Sequence, residues 1–257
     1  MNAVTMLARR ELVRFVRQRS RMIAVVASPI LFWIVIGSGL NKSFQYPGGP
    51  EEISYLEYFF PGSVILIVLF ASVFSSISVI EDRREGFLQA VLVAPAPRSS
   101  VVLGKVFGIA ILATVQGALF LALAPLVVPN VTIGSLLLTL IVLAFVSLGL
   151  ASLGFLIAWS MDSTQGFHAV MNLLLVPMWM LSGALLPMSG ATGWVAAIMA
   201  WNPLMYGVAA ARLGIYGLDP RHEGDLPAFG LAMIVLVAFS LITVLAAIWT
   251  VRHRQRG

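Results

Sequence analysis

Six apolar runs, each about as long as a bilayer is thick, decide most of what this chain can fold into. They cover residues 22–40, 59–80, 101–127, 131–159, 167–187 and 228–251. A helix needs ~20 apolar residues to cross the hydrocarbon core. No water is present there to solvate backbone N–H and C=O groups, so only helices or closed barrels can cross. Runs of roughly 18–30 residues do not match the alternating ten-residue strands of a barrel. The predicted class is an all-α integral membrane protein, with one six-span transmembrane domain over residues 1–257. With 60% hydrophobic and 11% charged residues, too little polar surface remains for a soluble domain of this size. The absence of cysteine excludes disulfides and thiolate metal sites. The first run lacks a small-residue cleavage pattern and reads as a retained span.

Orientation comes from the bases, which collect in short loops on the cytoplasmic side. Alternating the sides puts thirteen of the sixteen Lys and Arg residues on one face, together with both termini. The opposite face holds Lys42, Arg212 and Arg221, with six of the eleven acids. The basic pI near 10.1 therefore reports topology, not nucleic-acid binding. A multi-pass protein of the inner (plasma) membrane is expected, with both termini cytoplasmic.

Residues 1–20 contain no proline or glycine and read as an amphipathic interfacial helix. Arg10, Arg14, Arg17 and Arg21 form one stripe at helical spacing. Such a stripe suits an anionic lipid surface, gaining ~1 kcal/mol per base. Glu11 lies among apolar neighbours and points instead to a protein contact.

Within the second run, Ser72, Ser75, Ser76 and Ser78 are small hydroxylated residues that permit close helix packing. The same residues could line a polar-tolerant path. After the fifth run, Pro187, Gly190 and Gly193 break the helix, and 194–201 is apolar but too short to cross. Residues 188–201 are read as re-entrant, with Trp194, Trp201 and Tyr206 suited to the headgroup boundary. A polar external loop holds Asp219, His222, Glu223 and Asp225, read as solvated and not as a metal site.

Energy-coupling chemistry is missing. No phosphate-binding loop surrounds Lys42 or Lys105, and no hydrolase or metalloprotease motif occurs. The span interiors are read as uncharged, which argues against a proton-coupled carrier. Asn172 is the one strongly polar residue deep in the fifth run. No catalytic or metal-binding residue is assigned.

The segment 81–105, "EDRREGFLQAVLVAPAPRSSVVLGK", interrupts this oil with three acids and four bases. Phe87, Leu88, Val91 and Leu92 make one helical face, and the prolines at 95 and 97 end it. A short helix over 85–97, parallel to the inner surface, is expected.

These residues resemble the acid, glycine, apolar, proline, arginine and Gly-Lys pattern between the second and third spans of ABC-2-type permeases, the membrane subunits of type V ABC transporters. "NPLMYGVAAAR" is similar to that family's C-terminal signature, with Pro203, Tyr206 and Arg212 in its places. "ARRELVRF" resembles its interfacial helix. The resemblance implies a subunit that dimerises, as a homodimer, and a separate ATPase in two copies that binds ATP and Mg and grips the coupling helix. It implies export of an amphipathic or hydrophobic substrate: a drug, a lipid or a lipid-linked saccharide. Coupling would rest on Glu81, Arg84, Glu85, Gly86 and Arg98, supported by Arg10, Glu11 and Arg14. The path would involve Ser72, Ser75, Ser76, Asn172, Met178 and Met180. A haem or ion exporter of the same architecture is the alternative, and a lipid-modifying membrane enzyme a more distant one.

Overall fold

The computed structural model describes residues 3–17, 19–40, 53–93, 97–129, 131–185, 187–217 and 226–253. Residues 46–50 (YPGGP, a turn signal in the sequence), Pro95, the loop carrying Asp219, His222, Glu223 and Asp225, and the bases Lys42, Arg221, Arg254 and Arg256 lie outside those residues.

Every regular element among the described residues is helical: α1 (Ala3–Arg17), α2 (Arg19–Leu40), α3 (Tyr55–Arg84), α4 (Phe87–Val93), α5 (Arg98–Leu121), α6 (Ile133–Trp159), α7 (Thr164–Trp179), α8 (Gly193–Trp201), α9 (Pro203–Ile215) and α10 (Phe229–His253). Five helical stretches are long and apolar enough to cross a membrane: Tyr55–Arg84, Arg98–Leu126, Ile133–Trp159, Thr164–Ala184 and Phe229–His253. The pair α8 and α9, bent by 82°, adds a sixth if counted as one broken span. Within α2, Pro29–Leu40 is a shorter apolar helical stretch.

The bundle is organised around α3. Its 30 residues span about 45 Å at 1.5 Å per residue. Of its most apolar stretch 89% is buried, against 28% for α10, so α3 is the core and α10 the rim. Ser54 caps its start by accepting from the Glu57 amide at 3.1 Å. Near that end Phe60 stacks on Phe120 of α5 with centroids 5.1 Å apart, and Trp33 of α2 meets both rings edge-on. The Trp33 indole N–H donates to the Leu56 carbonyl at 3.0 Å, so the one polar atom of this collar is paired.

Several hydroxyls inside the spans bond back along their own helices, whereas those of Ser72 and Ser75 in α3 are buried without a hydrogen-bond partner among the described residues. Thr114, Thr139 and Ser152 each donate to the carbonyl four residues earlier at 2.8 Å. That satisfies the group without water.

The fifth run departs from its expected limits of 167–187. Regular helix starts at Thr164 and gives way to a wide, π-helical turn over Met180–Ala184. Gly183 there has φ +77°, a conformation that a residue with a Cβ adopts only with strain. The break frees carbonyls, and other helices supply donors. Asn202 Nδ2 donates to Met178 O at 2.5 Å and Leu181 O at 3.0 Å. The Tyr58 hydroxyl and Arg212 Nη2 donate to Gly183 O at 3.0 and 3.3 Å, and the Tyr55 hydroxyl to Leu185 O at 3.0 Å.

The segment expected to be re-entrant at 188–201 is helical only from Gly193, apart from a single 3₁₀ turn at Met188–Gly190, and the chain turns back into α9. Asn202 also accepts from the Leu204 amide, and Pro203 takes the first helical position, where its missing N–H is no loss.

Candidate functional site

The charged end of α3 meets α1, α4 and α5 in one cluster, and its centre is a residue that spacing did not single out. Asp82 is fully buried. It accepts from Arg10 Nη1 and Nη2 at 2.7 and 2.8 Å and from Arg14 Nη1 at 2.8 Å. Lys105 Nζ pairs with the same carboxylate. Lys105 also donates to Glu11 Oε1 at 2.8 Å, and both groups are buried. Buried charge is tolerated only when paired and hydrogen-bonded, and in this cluster each buried charge has an opposite neighbour. The bond to Asp82 is the main reason the Arg10 guanidinium is raised above its ordinary value.

Two glycines let this happen. α1 lies against α5 at Gly104 and Gly108, a small-xxx-small pair on one helix face. A Cβ at Gly104 would lie 2.6 Å from Leu7 Cβ, and one at Gly108 would lie 2.9 Å from Glu11 Cβ. The close approach carries Glu11 to Lys105. It also corrects the picture of an arginine stripe resting on lipid: Arg10 and Arg14 turn inward to α3. The span interiors are likewise not free of charge, since Lys105 lies within the third run.

From Asp82 the cluster reaches α4. The Arg10 guanidinium sits 3.7 Å from the centroid of the Phe87 ring while it grips Asp82. Leu88 is buried, whereas Gln89, Ala90 and Val93 are exposed. α4 is described over Phe87–Val93 and begins two residues later than the expected 85, because α3 runs to Arg84 and Glu85 and Gly86 form a turn; residues 94–96 of the expected 85–97 lie outside the described residues. Gly86 has φ +76° and no atom near its missing Cβ, so its requirement is purely conformational.

The other expected coupling residues divide. Arg14 Nη2 bonds Glu81 Oε2 at 2.8 Å and lies 3.7 Å from Glu85, whose side chain is mostly exposed. Arg84 points elsewhere: its Nε and Nη2 donate to the Asp162 carbonyl at 3.0 and 2.6 Å. Arg98 opens α5 and makes no ion pair with the described residues.

The expected path residues do not share one face. Ser72, Ser75 and Ser76 are buried inside the subunit, and Ser76 Oγ faces Gly154 of α6. Asn172 and Met180 are exposed on the α7 segment beside Leu173, with Met178 half-buried. The edge of α3 that borders this open side is Phe70 and Phe74, which stack, with Phe74 against His168. A recess of about 310 Å³ between α5 and α6, lined by Phe107, Ile111 and Phe145 among others, contains none of the expected path residues.

In the signature segment, Arg212 is buried and lies 4.1 Å from the Tyr58 ring, and the Tyr206 hydroxyl donates to Ala200 O at 2.9 Å. Pro203, Tyr206 and Arg212 thus brace the broken region. Among the described residues no group of three His, Asp or Glu side chains could hold a metal.

Lys105 carried a signal that spacing could have revealed. Lys105 interrupts an apolar run between two glycines four residues apart, which predicts a close helix partner bearing an acid. Asp82 was hidden among the charged residues that surround it.

Comparison with known proteins places these features in company. The family model described as ABC-2 type transporter matches residues 2–216. The chain is 27% identical over 248 residues to a putative transport permease, ycf38, of Cyanophora paradoxa, covering 92% of this chain and 84% of that protein. It is 24% identical over 255 residues to the inner membrane transport permease YadH of Escherichia coli K12, covering 96% and 93%. Nodulation protein J of Rhizobium meliloti is 26% identical over 227 residues, covering 86% and 83%.

Proposed function

The chain belongs to the ABC-2 type transporter family, and on that premise we propose that it is the membrane subunit of an ATP-driven exporter at the cytoplasmic membrane. It pairs with a second copy of itself and with two copies of a separate ATPase, which binds ATP and Mg. The substrate is amphipathic or hydrophobic: a drug, a lipid or a lipid-linked saccharide. The charged end of the bundle faces the cytoplasm, in keeping with the distribution of bases.

The observation that carries the proposal is the attachment of α4. This short helix exposes Gln89, Ala90 and Val93, while Phe87 is held under Arg10 and so tied to Asp82 in α3. A force applied to its outer face is passed directly to α1, α3 and α5. Closure of the ATPase pair on nucleotide draws the two α4 helices together. The shift travels along α3 to the broken region near Met180–Trp201, where the outer gate opens.

The test is reconstitution in vesicles with the partner ATPase. Glu85→Lys is expected to lower transport-linked ATP hydrolysis several-fold while membrane insertion is unchanged. Unaltered hydrolysis, or failure of any ATPase to co-purify with the chain, refutes the proposal.

A further inference from the structure

The last two arginines of α3 face away from the Asp82 cluster and make a second joint. Arg83 Nη2 donates to the Trp159 carbonyl at 2.5 Å, and its Nη1 donates to Met161 O at 3.3 Å and Asp162 Oδ1 at 3.1 Å. Its guanidinium also lies 5.1 Å from the Trp159 ring centroid. Arg84 closes a two-pronged fork on the Asp162 carbonyl at 3.0 and 2.6 Å. These acceptors belong to the end of α6 and the turn after it. A helix C-terminus leaves carbonyls without partners and carries partial negative charge, so two cations there are doubly favoured.

The turn leads straight into α7. Ser163, next to Asp162, caps that helix by accepting from the Gly166 amide at 3.2 Å. α7 is the helix with the open face at Asn172 and Leu173, and it ends in the wide turn at Gly183. Its buried residues are Phe167, Met171, Leu175 and Trp179, one apolar seam. The Trp179 indole N–H donates to the Gly62 carbonyl of α3 at 3.0 Å and pins the far end of the seam; nearer the start of α7 the seam contacts are apolar and without direction. Bonds from a planar guanidinium to fixed carbonyls do have direction.

We infer that Arg83 and Arg84 are positioning residues that lock the start of α7 to the end of α3, so that a displacement of α4 reaches α7 as well as α1 and α5. The inference rests on the exporter reading for what drives the displacement, and on geometry alone for the lock. It gives Arg84 a role within the subunit, not against the ATPase. One lever at α4 then has two outputs: Asp82 carries it to α1 and α5, and the arginine pair carries it to the open-faced helix.

The chain contains no cysteine, so thiols for spin labels can be placed singly. Labels at Gln89→Cys on α4 and Leu173→Cys on α7 report the distance between them by pulsed electron resonance. In the free permease, Arg83→Gln with Arg84→Gln is expected to widen that distribution at least twofold. Arg84→Lys alone, which keeps the charge but loses the fork, is expected to widen it less. In the complex with the ATPase, a non-hydrolysable ATP analogue should move the Leu173 label only when both arginines are present. An unchanged width in the double variant, or an undiminished nucleotide-driven shift, overturns the lock. A nucleotide that moves neither label in the wild-type complex counts against the exporter reading, while the width measurement still decides the lock.

Discussion

Replacing Asp82 by Asn removes one negative charge from a place that holds three cations. The aspartate receives two hydrogen bonds from Arg10, one from Arg14 and the Lys105 ammonium, and is itself fully buried. Breaking a buried charge pair by losing one partner costs ~3–5 kcal/mol. The low end applies here. Arg10 and Arg14 are 31% and 24% exposed and can turn to water, and Lys105 keeps Glu11 at 2.8 Å. A loss of about 3 kcal/mol corresponds to a fall in Tm of roughly 6–12 °C for a chain of this size. Thermal unfolding in lipid nanodiscs, followed by intrinsic tryptophan fluorescence, measures it. The control is Glu81→Gln, whose carboxylate is 33% exposed; a surface pair of that kind contributes under about 1 kcal/mol. Adding Lys105→Met to Asp82→Asn also takes the ammonium from Glu11, but the two changes remove one shared contact, so the double variant should lose less than the sum of the two single losses. An Asp82→Asn shift no larger than that of Glu81→Gln, or strict additivity in the double variant, refutes the cluster as a coupled unit.

Substitutions at three further positions separate packing, backbone and capping. Gly108→Val places atoms 2.9 Å from Glu11 Cβ and 3.1 Å from Ala8 Cα. It should cost ~1–3 kcal/mol and expose α1 to trypsin at Arg9 and Arg10, which limited proteolysis will show. Gly86→Ala meets no atom but must adopt φ +76°. A loss of about 1 kcal/mol is expected, less for Gly86→Asn, read as the Tm order Gly, Asn, Ala. Asn202→Leu strips donors from Met178 O and Leu181 O and an acceptor from the Leu204 amide. At ~1–3 kcal/mol per unmet buried group, partly offset by relaxation, about 2–4 kcal/mol is expected, measured by the same unfolding assay.

The spans were readable because length in lipid is a hard constraint: a run either reaches across or does not. The limits of α7 were not readable, because a helix can end in a wide turn whenever distant donors such as Asn202 and Tyr58 bond its loose carbonyls. Nothing near residue 180 in the chain announces residues 58 and 202. The charged segment 81–105 was visible as an anomaly, but its internal assignments depended on rotation. One position around α3 separates Asp82, facing inward, from Arg83 and Arg84, which reach the α6–α7 turn. The serines of α3 show the same limit. A small hydroxyl suits tight packing and a polar lining equally, and only the tertiary fold sets Ser76 against Gly154 of α6. In the sequence Lys105 counts toward orientation, as one of the thirteen bases on the cytoplasmic side. Its burial depends on α1 folding back, a tertiary event.

The enclosure of α3 has a mechanical corollary. A rod sheathed along nearly its whole length cannot lean without prying its sheath apart. It can glide lengthwise or swivel, like a spindle in a bushing. Under the coupling proposed above, work done on its ionic tip reaches the far extremity as thrust or torque, where Phe60 is held between Trp33 and Phe120.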